Sequence, residues 1–336
     1  MIRPAKIIFL FILLPVFFIS GCNNQISSSP YDEILSRHPY AAISDSIKSA
    51  PKNAELYFRR AVLLNKNNFP EPALADFEKA FSIDKKEQYA FGAGILLMKT
   101  KPDAAITFLQ QAITFLPQSI MLRLSLARTL DMQNKTDEAL KVCDEILLIN
   151  PSQLKTLVLK SELLDKKQNT SESIATLEKV LAIAPGLEEL NYNLAFKYAQ
   201  DKNPKVLTLC DSLIKRDSLK IHPEPYYFKG VYFYNTNDKT KAIELFDLAI
   251  LHDYNFLDAY IEKGKTLYEM KKYEQAFIIL QRAASITPTF ADAYFWMGKC
   301  QEAVGEKEEA RLNYQRAYGL DKSLIEAKEA ADRLGK

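Results

Sequence analysis

The sequence predicts an all-α fold, a solenoid of about eight stacked helix pairs, on three observations. Pro117, Pro151 and Pro185 fall 34 residues apart, each just after an apolar helical stretch. There a missing N–H is tolerated and a helix is stopped. Small residues keep phase with that spacing. They are Ala61, Ala93, Ala127, Ser161, Ala195, Gly230, Gly264 and Gly298 on the first helix of each pair, and Ala73, Ala105, Ala139, Ser173, Ala242, Ala276 and Ala310 on the second. The apolar residues between them recur with the period of a helix rather than of a strand. A stack of such pairs buries one core along its axis, so 336 residues need not split into the two domains that length suggests.

The stretch Leu257–Phe290 shows the unit most clearly. Tyr260, Lys263, Gly264 and Leu267 mark its first helix, Ala276, Leu280 and Ala283 its second, and Pro288 closes it. Small residues stand where two helices approach closely, and larger apolar residues fill the space around them. This pattern closely resembles the 34-residue tetratricopeptide repeat, and the resemblance implies a right-handed superhelix. It extends over Ala54–Lys85, Lys86–Ser119, Ile120–Gln153, Leu154–Leu187, Glu188–His222, Pro223–Phe256, Leu257–Phe290 and Ala291–Leu324, eight repeats across residues 54–324.

In chain order, residues 1–21 read as an export signal. Arg3 and Lys6 precede an apolar run from Ile7 to Ile19, too short for the roughly 20 residues a membrane-spanning helix needs. The run ends in Ile19-Ser20-Gly21-Cys22, which resembles the bacterial lipobox. That resemblance implies cleavage before Cys22, lipid attachment at its thiol, and several acyl chains, enough for stable anchoring. By likeness to enterobacterial lipoproteins, Asn23 after the cysteine implies the outer membrane, facing the periplasm. Residues 22–30 are then a lipidated flexible tether, and residues 31–53 a degenerate half-repeat with weak helices near Tyr31–Arg37 and Ala41–Ser49.

Two repeats depart from the pattern. Ala54–Lys85 is short, with Pro70 and Pro72 in its inner turn. Glu188–His222 has a shortened inner turn and a long exit, and its second-helix small position falls on Val206 or Leu207, so its two helices are expected further apart. After the repeats, residues 325–336 form a C-terminal capping helix, whose start Ser323 and Glu326 are expected to fix as a capping box.

Charge and composition exclude several functions. Without Arg3 and Lys6 the chain carries 42 basic against 42 acidic residues, which lacks the basic excess of a nucleic-acid binder. His38, His222 and His252 have no second ligand at helical spacing, and no nucleophile, phosphate or metal motif is present. The expectation is a non-enzyme with no cofactor and no metal. Cys143, Cys210 and Cys300 read as small buried apolar residues. Cys143 and Cys210 sit two repeats apart, roughly 20 Å by helix-packing distances and beyond disulfide reach.

The resemblance also implies where partners bind: an inner groove lined by the second, fifth, ninth, twelfth and thirteenth residues of each first helix. Carried onto this chain, that groove is apolar, then charged, then aromatic. Its apolar patch is Leu97, Met98, Met121, Leu124 and Met132, and its charged part is Lys155, Glu162, Asp165 and Lys166. The aromatic part is Tyr192, Phe196, Tyr227, Tyr234, Ile261, Tyr268 and Phe295. Two readings of the aromatics stand side by side. They pack against neighbouring helices, as periodic aromatic stripes commonly do, or they form a peptide groove with ring anchors. The family's carboxylate clamp for chaperone tails is not matched.

Lipobox and repeats together resemble envelope adaptor lipoproteins, which implies a scaffold for other envelope proteins with a membrane anchor at Cys22. The competing reading is a glycan-binding lipoprotein of a sugar-uptake system, against which stand a single tryptophan, Trp296, and the lack of room for a further domain.

Overall fold

The computed structural model describes residues 31–335, so the signal, Cys22 and the tether lie outside the described residues. Among the described residues there are nineteen α-helices and no strand. Two short helices come first, α1 (Asp32–Leu35) and α2 (Ala41–Ser49). Pairs follow: α3 (Ala54–Lys66) and α4 (Pro70–Ile83), α5 (Glu87–Thr100) and α6 (Pro102–Phe115), α7 (Ile120–Met132) and α8 (Thr136–Ile149), α9 (Leu154–Lys166) and α10 (Thr170–Ile183). Next come α11 (Glu188–Gln200) and α12 (Lys205–Arg216), α13 (Glu224–Asn235) and α14 (Lys239–His252), α15 (Leu257–Glu269) and α16 (Tyr273–Ile286), and α17 (Ala291–Val304) and α18 (Lys307–Leu320). The last helix is α19 (Ile325–Leu334). The chain divides into two compact units, with the boundary in the sequence between Leu97 and Met98 of α5.

In the first unit a polar network sits under apolar packing. Arg60 on α3 donates from Nε and Nη2 to both carboxylate oxygens of Asp76 on α4, at 2.6 and 2.8 Å. Its Nη1 donates to Ser44 Oγ on α2 at 2.9 Å, and that hydroxyl donates in turn to the Leu35 carbonyl at 2.9 Å. All three side chains are buried. The half-repeat is thus tied to the first full pair by matched hydrogen bonds, with Asn67 Nδ2 to Tyr40 OH (2.7 Å) as a second tie. Pro70 and Pro72, expected in the turn, lie in the first turn of α4. Proline is tolerated there because the N–H groups of a first turn have no intrahelical partner.

In the second unit each second helix packs on its own first helix and on the first helix of the next pair. This is the helix-pair stacking of an α-solenoid. The in-phase small residues are all buried, and what they face explains their size. A Cβ on Gly230 would come within 2.5 Å of the Phe246 ring, one on Gly264 within 2.6 Å of Leu280, and one on Gly298 within 2.9 Å of Tyr314. Phe246, Leu280 and Tyr314 occupy the same repeat position. Where the first helix has Ala127 or Ala195 instead, that position holds the smaller Cys143 and Cys210, and opposite Ser161 it holds Leu177. The cysteines are therefore volume matches, fully buried free thiols whose pKa burial pushes up to about 12. In the irregular repeat Val206 takes the small position and is fully buried, with Cys210 the small residue one turn later.

The turns inside the pairs share one closure. Asn134, Gln168, Lys202, Asn237, Lys271 and Gly305 adopt positive φ. The next residue's N–H reaches back to a carbonyl five positions earlier, as in Lys135 to Leu130 and Lys272 to Leu267, both at 2.9 Å. This is the Schellman bond, which satisfies carbonyls left over at a helix end. The expected Ser323–Glu326 capping box does not form. The Ser323 amide donates to Asp321 Oδ1 at 2.8 Å, which draws Ser323 into the turn, and Leu324 becomes an N-cap without a side-chain bond.

Substituting Ala276 with leucine should destabilise the protein by about 1–3 kcal/mol, since extra methylenes must enter a site with no exposed surface. The loss should fall mainly on neighbouring pairs. Amide hydrogen exchange compared with wild type checks both; unchanged protection in α15 and α16 would contradict the packing described.

Candidate functional site

The first helices α11, α13, α15 and α17 run in succession, each packed on the next. Polar pairs run from one first helix to the next along the second unit, beginning at α7. Lys166 binds Asp131 and Lys197 binds Asp165, each at 2.6 Å. Asn235 Nδ2 donates to the Ala199 carbonyl, Tyr234 OH to Glu269, and Arg333 to Glu302. These rungs join residues 31–36 positions apart. A scan for complementary polar types at that spacing would have found those that join two side chains.

On this face the aromatic stripe divides into groups. Phe196 is 39% exposed, with its ring 5.6 Å from Phe228. Tyr192 is half-buried between Phe228 and His222, and burial, followed by the Glu224, Glu188 and Asp217 charges, pushes its phenol up to about 12. Tyr227 is held by the rings of Phe228, Phe246 and Phe256 at 5.8, 5.9 and 5.3 Å, so much of its surface belongs to the core. Tyr234 is half-buried, with its hydroxyl on Glu269. Ile261 and Phe295 keep only 9% and 7% of their surface. Tyr268 is half-buried, its ring 5.7 Å from Trp296 and 5.2 Å from Tyr273. Packing and groove readings thus apply to different residues: Phe196, Tyr234 and Tyr268 offer surface, whereas Tyr227, Ile261 and Phe295 mainly pack.

Of the apolar patch, Leu97 is buried in the first unit. In the second, Met98 and Leu124 are half-buried, and Met121 and Met132 are exposed. The charged inner residues Asp165 and Lys166 are engaged in the rungs.

Trp296, absent from the sequence-derived stripe, lies at the centre of the C-terminal part. Lys299 Nζ stands 5.0 Å from its ring centroid and Lys265 Nζ 6.0 Å. Beside it opens a cavity of about 610 Å³ between α15, α17, α18 and α19. Its walls are the rings of Tyr268 and Tyr314, the methyls of Ala303 and Ala330, and five charged side chains from α17 and α19. The signal in sequence was the 34-residue ladder Lys265, Lys299, Arg333 on the ninth position of successive first helices.

Among the described residues no group of His, Cys, Asp and Glu could hold a metal ion. His252 stacks on Tyr226 with ring centroids 4.4 Å apart and donates from Nδ1 to the Lys220 carbonyl, a tie for the long exit loop.

Family models described as tetratricopeptide repeat match residues 96–160, and again 154–186, 257–290 and 291–324. The chain carries tetratricopeptide repeats over those residues. Such repeats are protein-interaction scaffolds and are generally non-catalytic. Among solved structures, Naa15/Naa10 bound to HypK-THB matches at TM-score 0.52 and 15% identity, over 82% of this chain and 43% of that one. The APC/C hetero-tetramer Cut9-Hcn1 matches at 0.46 and 14%, over 89% of this chain and 60% of that one. A tetratricopeptide repeat protein from Parabacteroides merdae matches at 0.40 and 14%, over 85% of this chain and all of that one. The chain therefore spans less than two thirds of the first two. At these identities the likeness concerns the fold. No curated protein matches the chain at a significant level.

Proposed function

We propose that this protein is a lipid-anchored adaptor of the bacterial cell envelope, held at the outer membrane through Cys22 and binding partner proteins on the periplasmic side. The observation that carries the proposal is the combination of a repeat scaffold with Ile19-Ser20-Gly21-Cys22 at the end of a short apolar run. The binding face is the succession of first helices from α11 to α17. Phe196, Tyr234 and Tyr268 supply rings with few rotatable bonds there, the kind of residue that dominates interface energetics. Glu269, Lys265 and Lys299 edge them, and rim charges chiefly set on-rate and salt dependence.

Two measurements test the reading. Metabolic palmitate labelling should mark the wild-type protein and not Cys22→Ser, because only the thiol accepts the lipid; equal labelling removes the anchor. In-cell crosslinking from the envelope fraction should then capture a protein partner. Against that partner, Phe196→Ala combined with Tyr234→Ala should cost at least about 2 kcal/mol, roughly thirtyfold in affinity. Tyr227 is unsuited to the same test, since its removal would loosen the core around Phe246.

A further inference from the structure

The cavity at the C-terminal end of the first-helix face has an uneven charge inventory. Arg333 Nη2 donates to Glu302 Oε1 at 2.6 Å and Tyr314 OH donates to Glu302 Oε2 at 2.9 Å, so both oxygens of Glu302 are engaged. Lys299 pairs with Glu326 at 2.7 Å. Two cations are thereby matched by two carboxylates. The third carboxylate on the wall, Glu329, has no ion pair or side-chain hydrogen bond among the described residues.

The aromatic side of the cavity also favours positive charge. A ring face attracts a cation through its quadrupole, and this protein already uses that attraction beside the cavity, where Lys299 and Lys265 stand over Trp296. The Tyr268 ring lines the cavity next to Trp296. An anionic ligand would meet three carboxylates and only cations that are already paired. A cationic side chain would meet an unpaired carboxylate and a tyrosine ring, in a space large enough for it and its water.

We propose that this cavity is a subsite for a lysine or arginine side chain of the protein partner, held by Glu329 and the Tyr268 ring. The proposal rests on the scaffold reading above and adds the chemistry of what docks at one end of it. It implies that the partner carries a basic residue where its chain reaches α17 and α19.

Trp296 is the only tryptophan in the chain and adjoins the cavity, so its emission reports on this place alone. The test titrates the full chain with three probes: a nonapeptide of alternating lysine and glycine, its glutamate–glycine counterpart, and a neutral oligosaccharide. The lysine peptide should give a saturable change in Trp296 emission that weakens with salt. Glu329→Gln should weaken it about fivefold, and Tyr268→Ala should also weaken it. Glu329 is solvent-exposed on α19, so its replacement leaves the fold intact, with the thermal midpoint as control. No saturable response to the lysine peptide overturns the proposal. So does an equal or stronger response to the glutamate peptide or the oligosaccharide, or an unchanged affinity in Glu329→Gln. Capture of a partner together with a failed titration removes the subsite alone. A positive titration with no partner captured removes the scaffold reading instead.

Discussion

Asp76→Ala is expected to destabilise the first unit by about 3–5 kcal/mol. The carboxylate receives two hydrogen bonds from Arg60, and both side chains are buried. Removing it leaves a guanidinium without its counter-charge in a place water does not reach, and that uncompensated charge, more than the lost attraction, sets the cost. Because Arg60 also holds Ser44, the docking of α2 should loosen with it. Trp296 belongs to the other unit. Hydrogen exchange across α2, α3 and α4 is the suitable measurement. Replacing both partners, as Arg60→Met with Asp76→Leu, should recover most of the loss, since paired buried charges are often matched by apolar residues of similar volume. A double variant as unstable as the single would show that the cost lies in packing around Asp76 rather than in charge.

Phe246→Ala should cost about 3–5 kcal/mol in the second unit. The ring is fully buried and fills the notch left by Gly230, so its loss opens a cavity that rigid neighbouring helices only partly close. The same geometry predicts a compensated pair. Gly230→Ala alone forces its Cβ onto the ring at 2.5 Å and should destabilise. Gly230→Ala with Phe246→Leu reproduces the arrangement of the repeat that carries Ser161 and Leu177, and should be more stable than Gly230→Ala alone. Urea denaturation of the three variants gives the coupling between the two positions. Additive effects would mean that the glycine and the ring do not share the space described.

Most of the fold was legible because a repeat states the same rule many times. One small residue in a helix means little, whereas fifteen in phase with a 34-residue spacing leave only close helix pairs as an explanation. The prolines add the stops, and the apolar period adds the faces. The departures at Val206 and at the exit loop before Glu224 were visible for the same reason, since they break a phase held elsewhere. The Ser323–Glu326 box was misread because a capping box is a local pattern. Asp321 competes for the Ser323 amide, and only the backbone course of the turn decides between them.

The site was legible at lower resolution. Family positions placed a ring at Tyr227 and at Phe196 with equal weight, yet Tyr227 is enclosed by Phe228, Phe246 and Phe256, whereas Phe196 keeps an open side. Exposure depends on residues brought from the next helix and the next repeat, and linear spacing does not contain them. The Arg60–Asp76–Ser44 network, the rungs between first helices and the cavity around Glu329 share that origin. The sequence by itself determined the repeat and the sizes at the helix crossings, because each is set by residue type at a fixed interval. Tertiary structure alone decided which charges are matched and which rings stay open, because pairing and burial arise from distances between side chains that lie far apart along the chain.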